Sequence, residues 1–178
     1  MEQWLNVQTL IWLFPIIFIL HDFEEIVMIE KWMKNHTNII YEKLPRKMAN
    51  RVIKQFSMST AQFSVSVLVI FLFVSFSTYM ASQYVNHHSL ANIHFFTVSI
   101  MVFFLHIFTH IGQSILFRSI TPGVITSIFI VFPYCIVLFN SLMTNRIISW
   151  NTIFASLPYV ILIIPIVLIA HWIGKKAV

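Results

Sequence analysis

Five apolar stretches, each long enough to cross a bilayer, divide this chain of 178 residues at roughly 5–29, 57–80, 92–117, 122–143 and 151–173. A spanning helix needs about 20 such residues. The stretches are continuous apolar runs rather than short alternating ones, so the sequence predicts transmembrane helices and not a barrel. Composition agrees. Hydrophobic residues are 58% and charged residues 10% of the chain, against about 45–50% and 25% in soluble domains. The 18 phenylalanines exceed what a water-soluble shell of this size hides. The expected fold class is therefore all-α, an integral membrane bundle of five transmembrane helices forming a single domain over 1–178. That excludes a secreted disulfide scaffold, a disordered tail and a nucleic-acid module. Cys135 is the one cysteine, so no internal disulfide exists and the redox compartment is undetermined. Met1-Glu2-Gln3-Trp4 lacks the basic start of a secretory signal, and the first run is expected to stay in the mature chain.

Lysines and arginines set the expected orientation. The 31–56 segment carries Lys31, Lys34, Lys43, Arg46, Lys47, Arg51 and Lys54. With five alternating spans, Arg118, Lys175 and Lys176 fall on the same side, and only Arg146 falls opposite. The positive-inside rule then puts the N-terminus outside and the C-terminus in the cytoplasm. Trp4 and Trp150 are placed at the outer boundary, and Trp32 and Trp172 at the inner one, as an aromatic belt. The basic 31–56 segment reads first as a retention signal, with room for a surface helix. It could also attract anionic headgroups, at about 1 kcal/mol per basic residue.

Ionisable side chains at membrane depth cost at least about 2.5–3.5 kcal/mol each and so need partners. They concentrate in two places. In His21-Asp22-Phe23-Glu24-Glu25, positions i, i+3 and i+4 put His21, Glu24 and Glu25 on one helical face, with Asp22 pointing elsewhere. In the third run His106 and His110 are again i and i+4, and Thr109 and Gln113 extend their face. Two imidazoles one turn apart can hold one metal, as in zinc proteases. At about 1.5 Å rise per residue, His21 lies roughly 24 Å in from Leu5 and His106 roughly 21 Å from Asn92. Both fall in the cytoplasmic half, near the level of His171 and Arg118. Together they offer a ligand set for Zn²⁺, Fe²⁺ or Mn²⁺, and a carboxylate left off the metal would be a general base for metal-bound water. A metal-free His–Glu network joining helices, or helix ends exposed to the cytosol, remains open on spacing alone. His87, His88 and His94 read as outer-loop or interface residues, and His36 as solvated.

The His21-Asp22-Phe23-Glu24-Glu25 run, inside a first membrane span, resembles the motif that names the HXXEE-domain family of small bacterial-type membrane proteins. His106…His110 is similar to that family's Asn/His-x-x-x-His pattern. Arg118-Ser119-Ile120-Thr121-Pro122-Gly123 is similar to its Arg-x-Tyr-Thr-Pro-Gly stretch, with Ile120 where Tyr is usual. The resemblance covers about residues 10–130. One departure is that no Asn-x-x-x-His occurs in this chain, so His106 must fill any role of such an Asn. The resemblance implies an integral membrane enzyme of unestablished reaction, in a bacterial cell membrane. Locally, Thr121-Pro122-Gly123 reads as a cytoplasmic turn opening the fourth span, or as the place where Arg118 holds an anionic group at the mouth of the site.

The expected function is a metal-dependent membrane enzyme, hydrolase or oxidoreductase, acting on a membrane lipid or lipid-soluble small molecule. Expected ligands are His21, Glu25, His106 and His110. Glu24 and Glu25 are the candidate catalytic carboxylates. Arg118, His171 and Gln113 are candidates for supporting or substrate contacts. A cavity is expected beside His21, Glu24 and His110, opening inward and sealed outward by phenylalanines. An ion or proton transporter using the same cluster, and a structural subunit with a His–Glu network, are the rivals.

Overall fold

The computed structural model describes residues 6–89 and 91–177, and among these every regular element is a helix. Helix α1, Val7–Lys43, is capped by Asn6, whose side chain accepts from Thr9 N–H at 2.7 Å. It passes unbroken through Pro15 and continues well past residue 29, where the sequence pattern had its span end. No Gly or Pro interrupts it until Pro45, and Leu44 is extended, as a residue before proline prefers. The basic 31–56 segment is thus helical almost throughout. The rest of it is α2, Arg46–Phe56, a surface helix that buries only Ala49.

Four further helices follow: α3 (Thr60–Val85), α4 (Ile93–Phe117), α5 (Val124–Thr144) and α6 (Trp150–Ala177). All four are long and apolar enough to cross a membrane. Helix α1 is not one of them, because its apolar run ends at Leu20 and His21, Asp22, Glu24 and Glu25 follow. Helix α5 is irregular near its start: Ser127–Val131 is a π turn, with Phe132 N–H bonded to Ser127 C=O. Pro133 stands just beyond, and the wider turn accommodates its ring and missing N–H. Leu157–Leu162 in α6, containing Pro158, is wound as a 3-10 helix.

Polarity runs inside out for a bilayer. Ser66, Ser77, Thr78, Thr97 and Ser127 are fully buried, while Ile115, Phe129, Phe154 and Ile161 are exposed. In lipid, small and hydroxylated residues belong at helix interfaces and large apolar ones face outward. Helix α1 packs against α2, α3, α4 and α5, whereas α6 lies outside it on α3 and α4. Gly174 sets the α6–α3 approach, since any Cβ there would collide with Ser66 and the Gln62 carbonyl. Phe14 centres the core, edge-on to Phe96 at 5.5 Å and Phe103 at 5.6 Å. Tyr134 donates its hydroxyl to Leu10 C=O at 2.9 Å, tying α5 to α1.

On the basic side, Glu30 accepts from Thr60 N–H at 2.8 Å and pairs with Lys34 at 2.7 Å. Lys34, then the Thr60 donors, pull its carboxyl down to about 2. Two expectations change here. His36, expected to be solvated, stacks on Trp32 with ring centroids 4.5 Å apart and bonds Ser119 Oγ at 3.0 Å. Trp32, expected at the lipid interface, is buried and also reaches Ser119 Oγ. Both rings therefore fasten the α4–α5 connection to α1. Trp150 and Trp172 are exposed, as a belt requires, and Lys176 sits 4.4 Å over the Trp172 ring. Trp4 lies outside the described residues.

Candidate metal centre

The i, i+4 pairs on α1 and α4 meet. His21, Glu25, His106 and His110 each offer one donor atom, and these four atoms lie within 4.8 Å of one another. Glu25 Oε1 is 3.5 Å from His21 Nε2, 3.3 Å from His106 Nε2 and 2.8 Å from His110 Nε2. The two α4 imidazoles are 2.7 Å apart, Nε2 to Nε2. Donors held about 2.0–2.2 Å from a tetrahedral metal stand about 3.3–3.6 Å from each other, so the group needs only small adjustments to hold an ion. His21 and His110 are buried, and the His106 side chain is 42% exposed. Access therefore comes from the His106 side.

Glu24 is not among the four donors. Its carboxylate accepts from Ile125 N–H at 3.2 Å, Thr126 N–H at 2.7 Å and the Thr126 hydroxyl at 2.6 Å. It thereby satisfies backbone donors left open at the start of α5. The Thr126 Oγ1 also lies 2.9 Å from His21 Nδ1. With the hydroxyl proton committed to Glu24, that oxygen can only accept, so His21 carries its proton on Nδ1. Its Nε2 lone pair is then turned into the cluster, buried and without a hydrogen-bond partner. Glu24, Thr126 and His21 form the carboxylate-to-histidine chain that orients metal-binding imidazoles.

Gly123 closes the other side. Its φ is +82°, and a Cβ there would lie 2.7 Å from His110 Cε1 and 2.9 Å from both Glu25 Oε1 and His21 Cε1. Only glycine suits that backbone and that contact. Thr121, Pro122 and Gly123 are all buried, so this stretch is a lid on the cluster and more than a turn.

The remaining candidates scatter. Gln113 is exposed and outside the cluster. Arg118 is exposed with φ +48° as the cap of α4. The acid it helps is Glu42, whose carboxyl is held down first by Lys43 and only last by Arg118. His171 is buried and lines a cavity of about 210 Å³ that reaches His21, Glu25 and His106. Asp22, expected to point elsewhere, lines the same cavity, is 6% exposed and leaves Oδ2 without a hydrogen bond. The cavity is walled by Phe14, Phe18, Phe63 and Phe103 among others, but neither Glu24 nor His110 lines it. Sequence reasoning had no signal for Thr126, one hydroxyl among many. Gly123 was visible in the Thr-Pro-Gly stretch, but its contact with the histidines was not.

No curated protein and no solved structure matches the chain. A family match does exist, over residues 12–138, and it includes both histidine clusters and the Gly123 lid. The chain belongs to the HXXEE family, described as "Protein of unknown function with HXXEE motif".

Proposed function

We propose that this is a metal-dependent integral membrane enzyme, with His21, Glu25, His106 and His110 holding a divalent Zn, Fe or Mn ion. The observation that carries the reading is the His21 ring. Its Nε2 lone pair faces the Glu25 carboxylate at 3.5 Å in a buried site. Two acceptors face to face require a cation between them, or else an added proton on the imidazole or the carboxyl, shut away from water. Three imidazoles and one carboxylate suit all three metals. Bound there, the ion would supply Lewis-acid polarisation and a lowered pKa for its water. Glu25 and the three imidazoles hold it, Thr126 and Glu24 fix the His21 ring, and Gly123 excludes water from the back. Four donors fill a tetrahedral zinc site but leave positions free on iron or manganese. Metal analysis of the purified protein tests this: stoichiometric iron or manganese supports catalysis, whereas a closed zinc site favours a structural role. Away from Asp22, His171 and the cluster, the cavity walls are mostly phenylalanine and aliphatic side chains, which favours an apolar ligand over an ion. A robust proteoliposome ion flux abolished by Glu25→Gln would establish transport instead.

The substrate class is a membrane lipid or lipid-soluble small molecule, and the location a bacterial cell membrane. Helix α1 serves as the first of five spans, with the N-terminus outside and the C-terminus cytoplasmic. Its setting among α3, α4 and α5, and the exposed Trp12, Ile16 and Leu20, support membrane immersion. In a Cys135→Ala background, a cysteine at Asn86 is expected to react with an impermeant thiol reagent in intact cells, and one at Lys43 to stay unlabelled. The reverse pattern would overturn the orientation.

The Thr126 link gives a gentler probe of the metal. Thr126→Val removes the bond to His21 Nδ1 without touching a donor atom. Chelator competition is expected to show metal binding weakened by about 10–100-fold, with Thr126→Ser restoring it. Equal affinity in all three proteins would discard the orienting role.

A further inference from the structure

We infer that the cavity beside the cluster binds a neutral single-chain amphiphile, its hydroxyl head at Asp22 and His171 and its apolar chain between α4 and α6. This names the substrate class of the proposed centre and rests on that reading.

Two features of the cavity point to such a ligand. First, it has one polar end. Asp22 is buried and presents an unpartnered Oδ2. His171 receives a hydrogen bond from the Gln55 amide at its Nδ1, 2.6 Å away, which leaves its ring proton on Nε2. An acceptor on α1 and a donor ring on α6 thus border one space, and a hydroxyl both donates and accepts. Second, the rest of the wall is apolar apart from Ser99, whose hydroxyl is spent on Phe95 C=O at 3.0 Å. Phe95, Val102 and Phe103 of α4 face Ile163, Ile166 and Val167 of α6 across the cavity. Several of these residues are only partly buried, so the gap between α4 and α6 is open to the side.

The volume of about 210 Å³ corresponds to roughly seven water-sized groups, which takes the head and first carbons of a slim chain whose end leaves through the side gap. A charged head entering this dry space would pay heavily for lost hydration. A neutral hydroxyl avoids that penalty. The cavity also reaches His106, the accessible member of the donor set, so the head group arrives beside the ion site.

Photolabelling in phosphatidylcholine nanodiscs tests the inference, using a ten-carbon primary alcohol that carries a diazirine. Adducts are expected on the cavity faces of α4 and α6, reduced at least fivefold by excess 1-decanol and much less by decane. Val102→Trp and Ile166→Trp, which fill the cavity from opposite helices, are each expected to cut labelling at least fivefold. Asp22→Leu should erase the preference for decanol over decane. Labelling confined to lipid-facing residues such as Leu105 and Phe108, or unchanged in both tryptophan variants, would overturn the binding site. Equal competition by decane in the unsubstituted protein would overturn the head-group assignment. Metal content measured on the same samples separates the two readings. Full metal without cavity labelling defeats this inference alone, and cavity labelling without metal defeats the centre alone.

Discussion

Replacing His106 and His110 together with alanine is expected to lower bound metal from about one ion per chain to below about 0.1. The double substitution removes two of the four donors and leaves His21 and Glu25, both from α1, to hold an ion alone. It also strips two hydrogen-bonding partners from a buried carboxylate, and breaking such a pairing destabilises by about 3–5 kcal/mol. Glu25→Gln is therefore the companion variant, because it keeps the shape and removes the charge. Elemental analysis after purification without chelators reads both. Undiminished metal in the two variants, with folding intact, would show that any ion sits elsewhere.

Gly123→Ala is expected to damage both folding and metal binding, although it adds a single methyl. A left-handed backbone costs a non-glycine residue about 1–2 kcal/mol, and overpacking a tight site adds about 1–3 kcal/mol. The added methyl would press on His110, Glu25 and His21 together, all anchored by their own helices, so it cannot be absorbed by one side chain. Thermal unfolding in detergent should fall by about 10 °C, with loss of metal at temperatures where the protein is still folded. Gly112→Ala is the control, since nothing lies within 4 Å of a Cβ there. Equal melting temperatures and equal metal content in the two variants would remove Gly123 from the site.

The donor set was readable because spacing and depth are both local quantities. His21 with Glu25, and His106 with His110, are one helical turn apart in the sequence, and counting residues into each apolar run placed them at one level. Where a side chain turns is set by neighbours far along the chain, and that was not readable. Glu24 shares a face with His21 and Glu25, yet the open N–H groups of Ile125 and Thr126 draw it to α5. Asp22 points away from Glu24, but it is one turn from both Phe18 and Glu25, and the cavity runs along that stripe of α1. Gln113 continues the His106–His110 stripe but falls beyond the packed surface. The length of α1 was missed for another reason. Basic residues mark a boundary of the bilayer, not of a helix, and no breaker lies between Trp32 and Leu44.

The burial of α1 among its neighbours has a bearing on biogenesis. It leaves the ribosome before the helices it packs against, it is less apolar than α3 or α4, and its His21, Glu24 and Glu25 find their partners on α4 and α5. Ionisable groups each oppose membrane entry by about 2.5–3.5 kcal/mol until they are paired. During synthesis, 62 residues separate the end of α1 at Lys43 from His106. Helix α1 therefore lodges provisionally, at the translocon or the bilayer surface, and settles between later helices once they arrive. Assembly of the membrane domain and completion of its polar centre are one event, governed by the order of translation.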